Sequence, residues 1–326
     1  MSLQINKDFD DYKKRPISLS QIDDLFNKRR TELALAKFII SNNEIFVEQE
    51  QPQNTDFVYR TSCFRDALIL LSKSVQLPDT VFILTMHDEV SERFNIPLFA
   101  MAKKITSNHI LVPDFEAIQA KYQVLKNQDI TEIQFPWNKK ITQLVWRGSS
   151  AQRGFDNSPC IRSNNLGMFS RVRLCKLSCK FPDLIDAKFT ILRQVENPAL
   201  LRRFLGEYVT YEKQLEYKYH IVIDGNTCTY TSSGWKFFTN SVVFKPDSPR
   251  IQWYYNALVP NVHYIPVRAS LKDLVEKIQW AASHDVEAEI IAHNARDFAN
   301  SHLTVIDSLA YLYHTILQYS QLQFVN

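Results

Sequence analysis

Several stretches of this chain are apolar at nearly every position and stop abruptly in polar residues, and no other feature restricts the fold as strongly. "TVFILTM" (Thr80–Met86), "ITQLVWRGS" (141–149), "YHIVID" (219–224) and "SVVFK" (241–245) are of this kind. A strand with one wet face alternates apolar and polar residues. A strand that is apolar throughout is buried on both faces, as in parallel sheets covered by helices. Stretches of helical periodicity separate these runs, so the pattern predicts an α/β fold.

Residues 20–41 carry Ile22, Leu25, Phe26, Leu33 and Phe38 at helical spacing and predict a helix starting near Ser20. "EIFVEQ", "IPLFAMA" and "HILVPD" read as short strands, with helices over 62–74 and Phe115–Lys126. In the second half, helices are predicted over 169–179, 197–214 and Trp235–Asn240, and "LIDAKFT" is a strand. Ser270-Leu271-Lys272-Asp273 resembles a capping box opening a helix over 271–283, and helices over 285–300 and 303–320 close the chain. A chain of 326 residues exceeds what one core usually holds. We therefore expect two Rossmann-like domains facing across a cleft, 1–138 and 139–326, with the C-terminal helices in the second.

Composition narrows the function. With 45% hydrophobic and 22% charged residues the chain is not a disordered one. A net charge of +3 gives no case for a nucleic-acid partner. Five cysteines without a C-x-x-C pair, with Cys175 and Cys179 one helical turn apart, argue against a disulfide framework or a zinc site and favour a reducing compartment. The opening "MSLQINKDFDDYKKRP" has no apolar signal-peptide core, and no apolar run approaches the roughly 18 residues of a spanning helix, so a cytoplasmic protein is expected. Only 6 glycines occur, none in a dinucleotide fingerprint or P-loop. Any bound phosphate must then be held by arginines and helix N-termini. Asp8-Phe9-Asp10 has the D-x-D form of a metal site but lies in a charged tail, and no metal is expected there.

In open α/β sheets ligands sit beyond the carboxyl ends of strands, which selects three places. In "FILTMHDEV", Asp88 follows a buried strand and suits a general base, or equally a turn cap; His87 points to the other face and reads as structural. In "QLVWRGSSAQRG", Arg147 ends a strand before Gly148 and Ser149, where its fork would match a phosphate or pair with a surface carboxylate. Arg171 and Arg173 open the next helix against its dipole, a placement that an anion would offset. In "VIDGNTCTYTSSGWKFF", the amides of Ser233, Gly234 and Trp235 predict a helix N-terminus able to bind an anion, or simply a serine-capped helix.

The blocks "LPDTVFILTMHDEV", "VWRGSS", "SRVRLCKLS…FPDLIDAKFT", "YKYHIVIDG", "TNSVVFK" and "YYNALVPNVHYIPV" together resemble glycosyltransferase family 90 in order and spacing, from about residue 78 to 302. That family includes the Rumi-type protein O-glucosyltransferases and bacterial lipopolysaccharide-modifying transferases. The resemblance implies a GT-B fold, with the acceptor mainly on the first Rossmann-like domain and a nucleotide sugar mainly on the second. It implies inverting transfer without an essential metal and with no cofactor beyond the UDP-sugar co-substrate. Asp88 falls on the family's catalytic aspartate, Arg147 and Ser149 on its "RGS" loop, and Arg171 on an arginine opening the next helix. The segment from Asp224 to Ser233, with Thr229, Thr231, Ser232 and Ser233, matches the donor-gripping loop. Members carry Ser-Arg where this chain has Thr231-Ser232. Lys236, Lys245 or another arginine must then supply the missing charge, or donor handling is altered.

The expected reaction moves a hexose, glucose first, from a UDP-sugar to a hydroxyl of a glycan such as lipopolysaccharide core. Such an acceptor, glycan or lipid-linked glycan, would place the protein peripherally at the inner membrane face. The alternatives are a protein O-glycosyltransferase, or an impaired nucleotide- or glycan-binding protein of the same fold. None of these blocks falls in the first ~75 residues, the part expected to shape the acceptor site.

Overall fold

The apolar runs become the inner strands of two sheets. The protein is described by a computed structural model, which covers residues 2–10, 12, 16–50, 54–123 and 134–323. It packs into two compact units. The first comprises Met1–Lys121, Pro249–Ala257 and Leu303–Asn326, the second Tyr122–Ser248 and Leu258–His302. Sequence alone suggests one division near residue 138; the packing instead returns the chain to the first unit twice.

The first unit opens with helices α1 (Ser2–Phe9) and α2 (Leu19–Arg29), followed by strands β1 (Leu35–Ser41) and β2 (Glu44–Gln49). Helix α3 (Thr55–Ser72), β3 (Thr80–Thr85), β4 (Phe99–Ala100), β5 (Lys103–Lys104), β6 (Ile110–Leu111) and the single turn α4 (Phe115–Ile118) follow. The sheet runs β2-β1-β3-β4-β6. It is mixed rather than wholly parallel, because β1 pairs antiparallel with both neighbours while β3, β4 and β6 are parallel. Rings of Phe38, Phe82 and Phe99 stack across three strands, with centroids 5.2 and 4.6 Å apart. Tyr319 closes edge-on over Phe99 at 5.0 Å. It comes from α10 (Val305–Ser320), the last helix of the chain, which belongs to this unit.

The second unit holds β7 (Ile141–Ser149), α5 (Ser170–Lys180), β8 (Ile185–Ile191), the turn α6 (Tyr211–Gln214), β9 (Tyr217–Ile221) and α7 (Thr231–Phe237). Then come β10 (Val242–Pro246), β12 (Ile265–Val267), α8 (Leu274–Ser283) and α9 (Asp285–His302); the short β11 (Arg250–Ile251) pairs with β5 in the first unit. The sheet order is β12-β10-β9-β7-β8, parallel throughout. Its core joins Leu144, Trp146, Tyr219, Ile221, Val242 and Phe244 to the inner faces of α5, α8 and α9. Among the described residues no helix is long and apolar enough to cross a membrane.

Five expectations are corrected. The helix over 20–41 ends at Arg29, and its cap is Ser18, in a capping box with Gln21. Ala34 takes a left-handed φ of 47°, after which the chain enters β1 with Leu35, Ala36, Phe38 and Ile40 all buried. The helix over 197–214 is three separate turns, at Pro198–Leu200, Arg202–Phe204 and Tyr211–Gln214. Ser270–Asp273 is no capping box: Leu271 has φ 58°, and the Asp273 carboxylate accepts from the Arg268 amide at 3.0 Å. The helix predicted at Trp235–Asn240 begins earlier, at Thr231. The predicted helix from Phe115 lasts one turn plus a 3-10 turn at Lys121–Gln123; residues 124–126 lie outside the described ones.

Asp8 does not lie in a solvated tail. Its carboxylate is buried against Lys103 Nζ at 2.5 Å, accepts from the Leu111 amide at 2.8 Å, and takes Gln4 Nε2 at 2.6 Å. Burial outweighs these partners and leaves the carboxyl above its ordinary pKa. The pair docks α1 onto the sheet. Removing one member strands the other charge in the core. Lys103→Met should therefore lower stability by about 3–5 kcal/mol, measured as the shift in the urea unfolding curve.

Candidate functional site

The chain makes β7, crosses to β8 on one side, and returns to place β9 on the other. The connections thus change direction between β7 and β9, and a crevice forms outside the carboxyl ends of such a pair. Arg171, from the first turn of α5, occupies that place. Its Nε donates to the Asp224 carbonyl at 2.9 Å, Nη1 to the Ser149 and Ala151 carbonyls at 2.9 Å each, and Nη2 to the Ile223 carbonyl at 3.3 Å. Four of the five guanidinium N–H groups are thereby engaged by backbone. Burial pulls its pKa down to about 10, with the Asp224 carboxylate opposing the shift, so it remains charged at neutral pH. The expected donor ligand is instead the tie that holds two strand ends together. Gly225 is needed for this approach: a Cβ there would lie 2.9 Å from Arg171 Nη2 and 3.2 Å from the Ala151 carbonyl.

Arg147 is not presented to a ligand either. Asp186 grips it at two oxygens, 3.1 Å from Nη1 and 2.8 Å from Nη2. Nε donates to the Glu207 carbonyl at 3.1 Å, and Nη1 also reaches the carbonyls of Trp146 and Asp186 at 3.0 Å. The ion-pair alternative is the one the side chain adopts. Ser149 Oγ accepts from the Ala151 amide at 2.8 Å and so shapes its own turn.

The loop beyond β9 is organised from within. The Asp224 carboxylate accepts from Ser248 Oγ, and the hydroxyls of Thr229 and Ser233 bond to each other. The amides of Ser233 and Gly234 donate to the Tyr230 carbonyl at 3.0 and 2.9 Å, so these are not the anion-binding amides that the sequence suggested. The true first turn is Thr231 and Ser232; Thr231 is buried and Ser232 exposed. Lys236 is buried, with Nζ on the Ser232 carbonyl and 5.2 Å from the Trp235 ring centroid. Burial, reinforced by Arg171, pulls its pKa down to about 7. Lys245 on β10 is held below its ordinary value by burial, with Asp224, Cys228 and Asp247 opposing; it lies 5.6 Å from the Tyr264 ring centroid. Ser149, Arg171, Asp224, Lys236 and Lys245 thus form one electrostatically linked group, and Arg147 stands apart with Asp186.

Three residues of this region are not singled out by the sequence, although Asn226 and Thr227 lie within the segment from Asp224 to Ser233. Gln152 is fully buried and accepts from the Arg171 amide at 3.0 Å through Oε1, while its Nε2 has no hydrogen-bond partner. Asn226 Oδ1 and Thr227 Oγ1 are likewise buried and without partners. A buried polar atom left unsatisfied costs about 1–3 kcal/mol, so three beside one strand-end crevice mark a place that a polar ligand would complete. Their only signal in the sequence is position, directly beyond the strand ends in "SSAQRG" and "DGNTC".

In the first unit, Asp88 follows β3 with its side chain 40% exposed, and Arg60 Nη2 donates to Oδ1 at 3.0 Å. The sequence predicts this helix only from 62 and so omits Arg60; the helix begins at Thr55, capped by Asn54 Oδ1 on the Asp56 amide at 2.9 Å. His87 is structural, as expected, with Nε2 3.0 Å from the Glu32 carbonyl and its ring edge-on to Phe57.

These features define an α/β protein with unsatisfied buried polar atoms at the switch point of a parallel sheet and an accessible carboxylate at a strand end of a second sheet. The chain belongs to glycosyl transferase family 90, which it matches over residues 2–326. It is 30% identical over 303 residues to "Protein O-glucosyltransferase 2" of Danio rerio, covering 89% of this chain and 56% of the relative. It is 25% identical over 339 residues to "Protein O-glucosyltransferase 3" of Homo sapiens, covering 98% of this chain and 61% of the relative. The chain therefore spans less than two thirds of these relatives' length. Among solved structures, sucrose-phosphate synthase of Thermosynechococcus elongatus aligns with 64% of this chain and 49% of its own at TM-score 0.33 and 11% identity. The relatives' names point to protein acceptors rather than to lipopolysaccharide.

The buried bases beneath the loop give the second unit a pH signature. Burial pulls Lys140 down to about 7, with Nζ on the Leu215 carbonyl at 2.5 Å and Ser241 Oγ at 2.9 Å. Burial pulls His220 to about 3, reinforced by Lys236 and Lys140. Between pH 7 and the ordinary lysine value of 10.5, the unfolded lysines hold protons that folded Lys140 and Lys236 have lost. Stability therefore rises with pH across that window. The Cys175 thiol, pushed up to about 12 by burial, opposes this only above its ordinary value of 9.0. The thermal midpoint should climb from pH 7 to pH 9, and Lys140→Met should flatten the climb.

Proposed function

We propose that this chain is an inverting glucosyltransferase that moves glucose from UDP-glucose to a hydroxyl of a protein side chain. What supports the reading is a strand-end carboxylate, Asp88, in one unit and buried polar atoms of Gln152, Asn226 and Thr227 without partners beyond the strand ends of the other, in a chain whose curated relatives are named protein O-glucosyltransferases. In this reading the two units serve as the acceptor and donor domains of a GT-B enzyme. Asp88 takes the acceptor proton as the new bond forms between that oxygen and the anomeric carbon. The bond from the anomeric carbon to the diphosphate breaks, and the negative charge passes to UDP. Arg171 keeps the loops in place, while Lys245, Lys236 and the exposed first turn at Ser232 supply positive potential to the diphosphate. The reading requires no metal ion.

A second reading is favoured by one observation. Arg147 and Arg171 are both engaged by the protein itself, and Ser232 stands where the family resemblance places an arginine. A protein that binds UDP-glucose without transferring it would look the same in these respects.

Radiolabelled UDP-glucose incubated with a panel of small, folded, serine- and threonine-bearing protein domains separates the readings. Label on a protein supports the transferase. Label on a lipopolysaccharide core oligosaccharide offered in parallel refutes the protein acceptor, and binding of UDP-glucose without transfer to either supports the second reading. Asp88→Asn should lower transfer by about 10²–10⁴-fold and leave the UDP-induced thermal shift intact. Undiminished transfer in that variant removes Asp88 from the mechanism.

A further inference from the structure

We infer that Arg60 is a positioning residue that fixes the carboxylate of Asp88 for proton transfer; the inference rests on the reading of Asp88 as the general base. Asp88 sits in irregular chain just past β3, where neither sheet nor helix bonds define its rotamer. A base serves only when one of its lone pairs stays directed at the acceptor hydroxyl, and a misplacement of about 1 Å can cost 10²-fold in rate.

Arg60 supplies what the loop lacks. Its Nη1 donates to the carbonyl of Met86 at 2.7 Å, and its Nη2 to Oδ1 of Asp88 at 3.0 Å. One planar group thus ties the carbonyl of the residue just past β3 to the side chain two residues on. The guanidinium carbon lies 5.0 Å from the ring centroid of Phe115, which restricts its plane. Its helix, α3, runs for 18 residues with Phe64, Leu68 and Leu71 buried, so the arginine is anchored on a rigid element. The arginine side chain is 14% exposed while that of Asp88 is 40% exposed. The grip is one-sided: among the described residues Oδ2 of Asp88 has no bonding partner, and it is the oxygen left to accept a proton. The next cation along this wall, Lys121, donates to the Tyr59 hydroxyl at 2.9 Å and so does not substitute for Arg60.

The test is a double-mutant cycle on UDP-glucose hydrolysis, with water as acceptor and UDP release as signal, using the full chain. Arg60→Met should lower kcat by roughly 10- to 100-fold with KM for UDP-glucose unchanged, and Arg60→Lys should recover part of the loss by again pairing with Asp88. In the Asp88→Asn background the same Arg60→Met change should have no further effect, because there is no carboxylate left to position. An equal loss in both backgrounds, or a loss confined to KM, overturns the inference while leaving Asp88 as base. Full turnover in Asp88→Asn overturns the base assignment and this inference together. Thermal midpoints report whether Arg60→Met folds; if it does not, Arg60→Gln, which keeps a donor for Met86, takes its place in the cycle.

Discussion

One buried guanidinium holds the second unit's functional end together. Arg171 draws the carbonyls that follow β7 and those that follow β9 onto a single planar cation. Carbonyls at strand ends have lost their ladder partners, and a charged donor is a strong replacement. In turn, four acceptors and the nearby Asp224 carboxylate make it tolerable to bury a full positive charge. The position of Gln152, the close approach at Gly225 and the path of the loop to α7 all follow from where that group sits.

Using arginines as framework changes what is left for recognition. Arg147 and Arg171 both serve the backbone and an internal carboxylate, so the groups left without partners here are amide and hydroxyl dipoles. Dipoles fixed in a dry crevice stabilise charge well, because they need not reorient when it appears.

Much of the architecture was legible because burial on both faces leaves a plain record. The strands over Thr80–Thr85, Ile141–Ser149, Tyr217–Ile221 and Val242–Pro246 lie where their apolar runs predicted. The segment Leu33–Ile40 misled because apolar residues dense enough for a doubly covered strand also satisfy a helical stripe; the left-handed Ala34 that separates the two is not a residue that announces such a turn. The site was legible in place but not in role. Arg147, Arg171 and Asp88 all stand at strand or helix ends as read, yet their partners lie 39, 53 and 28 positions away, as with Asp186, the Asp224 carbonyl and Arg60. Local sequence carries no trace of such pairings. Asp8 shows the same limit, since a carboxylate in a charged stretch gives no sign of a lysine 95 residues on.

The return of the chain to its first unit has a consequence for how the protein is made. Synthesis proceeds from the N-terminus at about 5–20 residues per second, and domains generally fold as units when their residues have emerged. Here the second unit is complete once His302 is available, whereas the first still lacks α10, whose Tyr319 closes the aromatic stack. Gln323, which accepts from Thr80 Oγ1 at 2.6 Å and from the Val81 amide at 3.0 Å, arrives later still. The half of the molecule that is translated first is therefore finished last. Until then the face of Phe82 and Phe99 that Tyr319 covers lacks its cover.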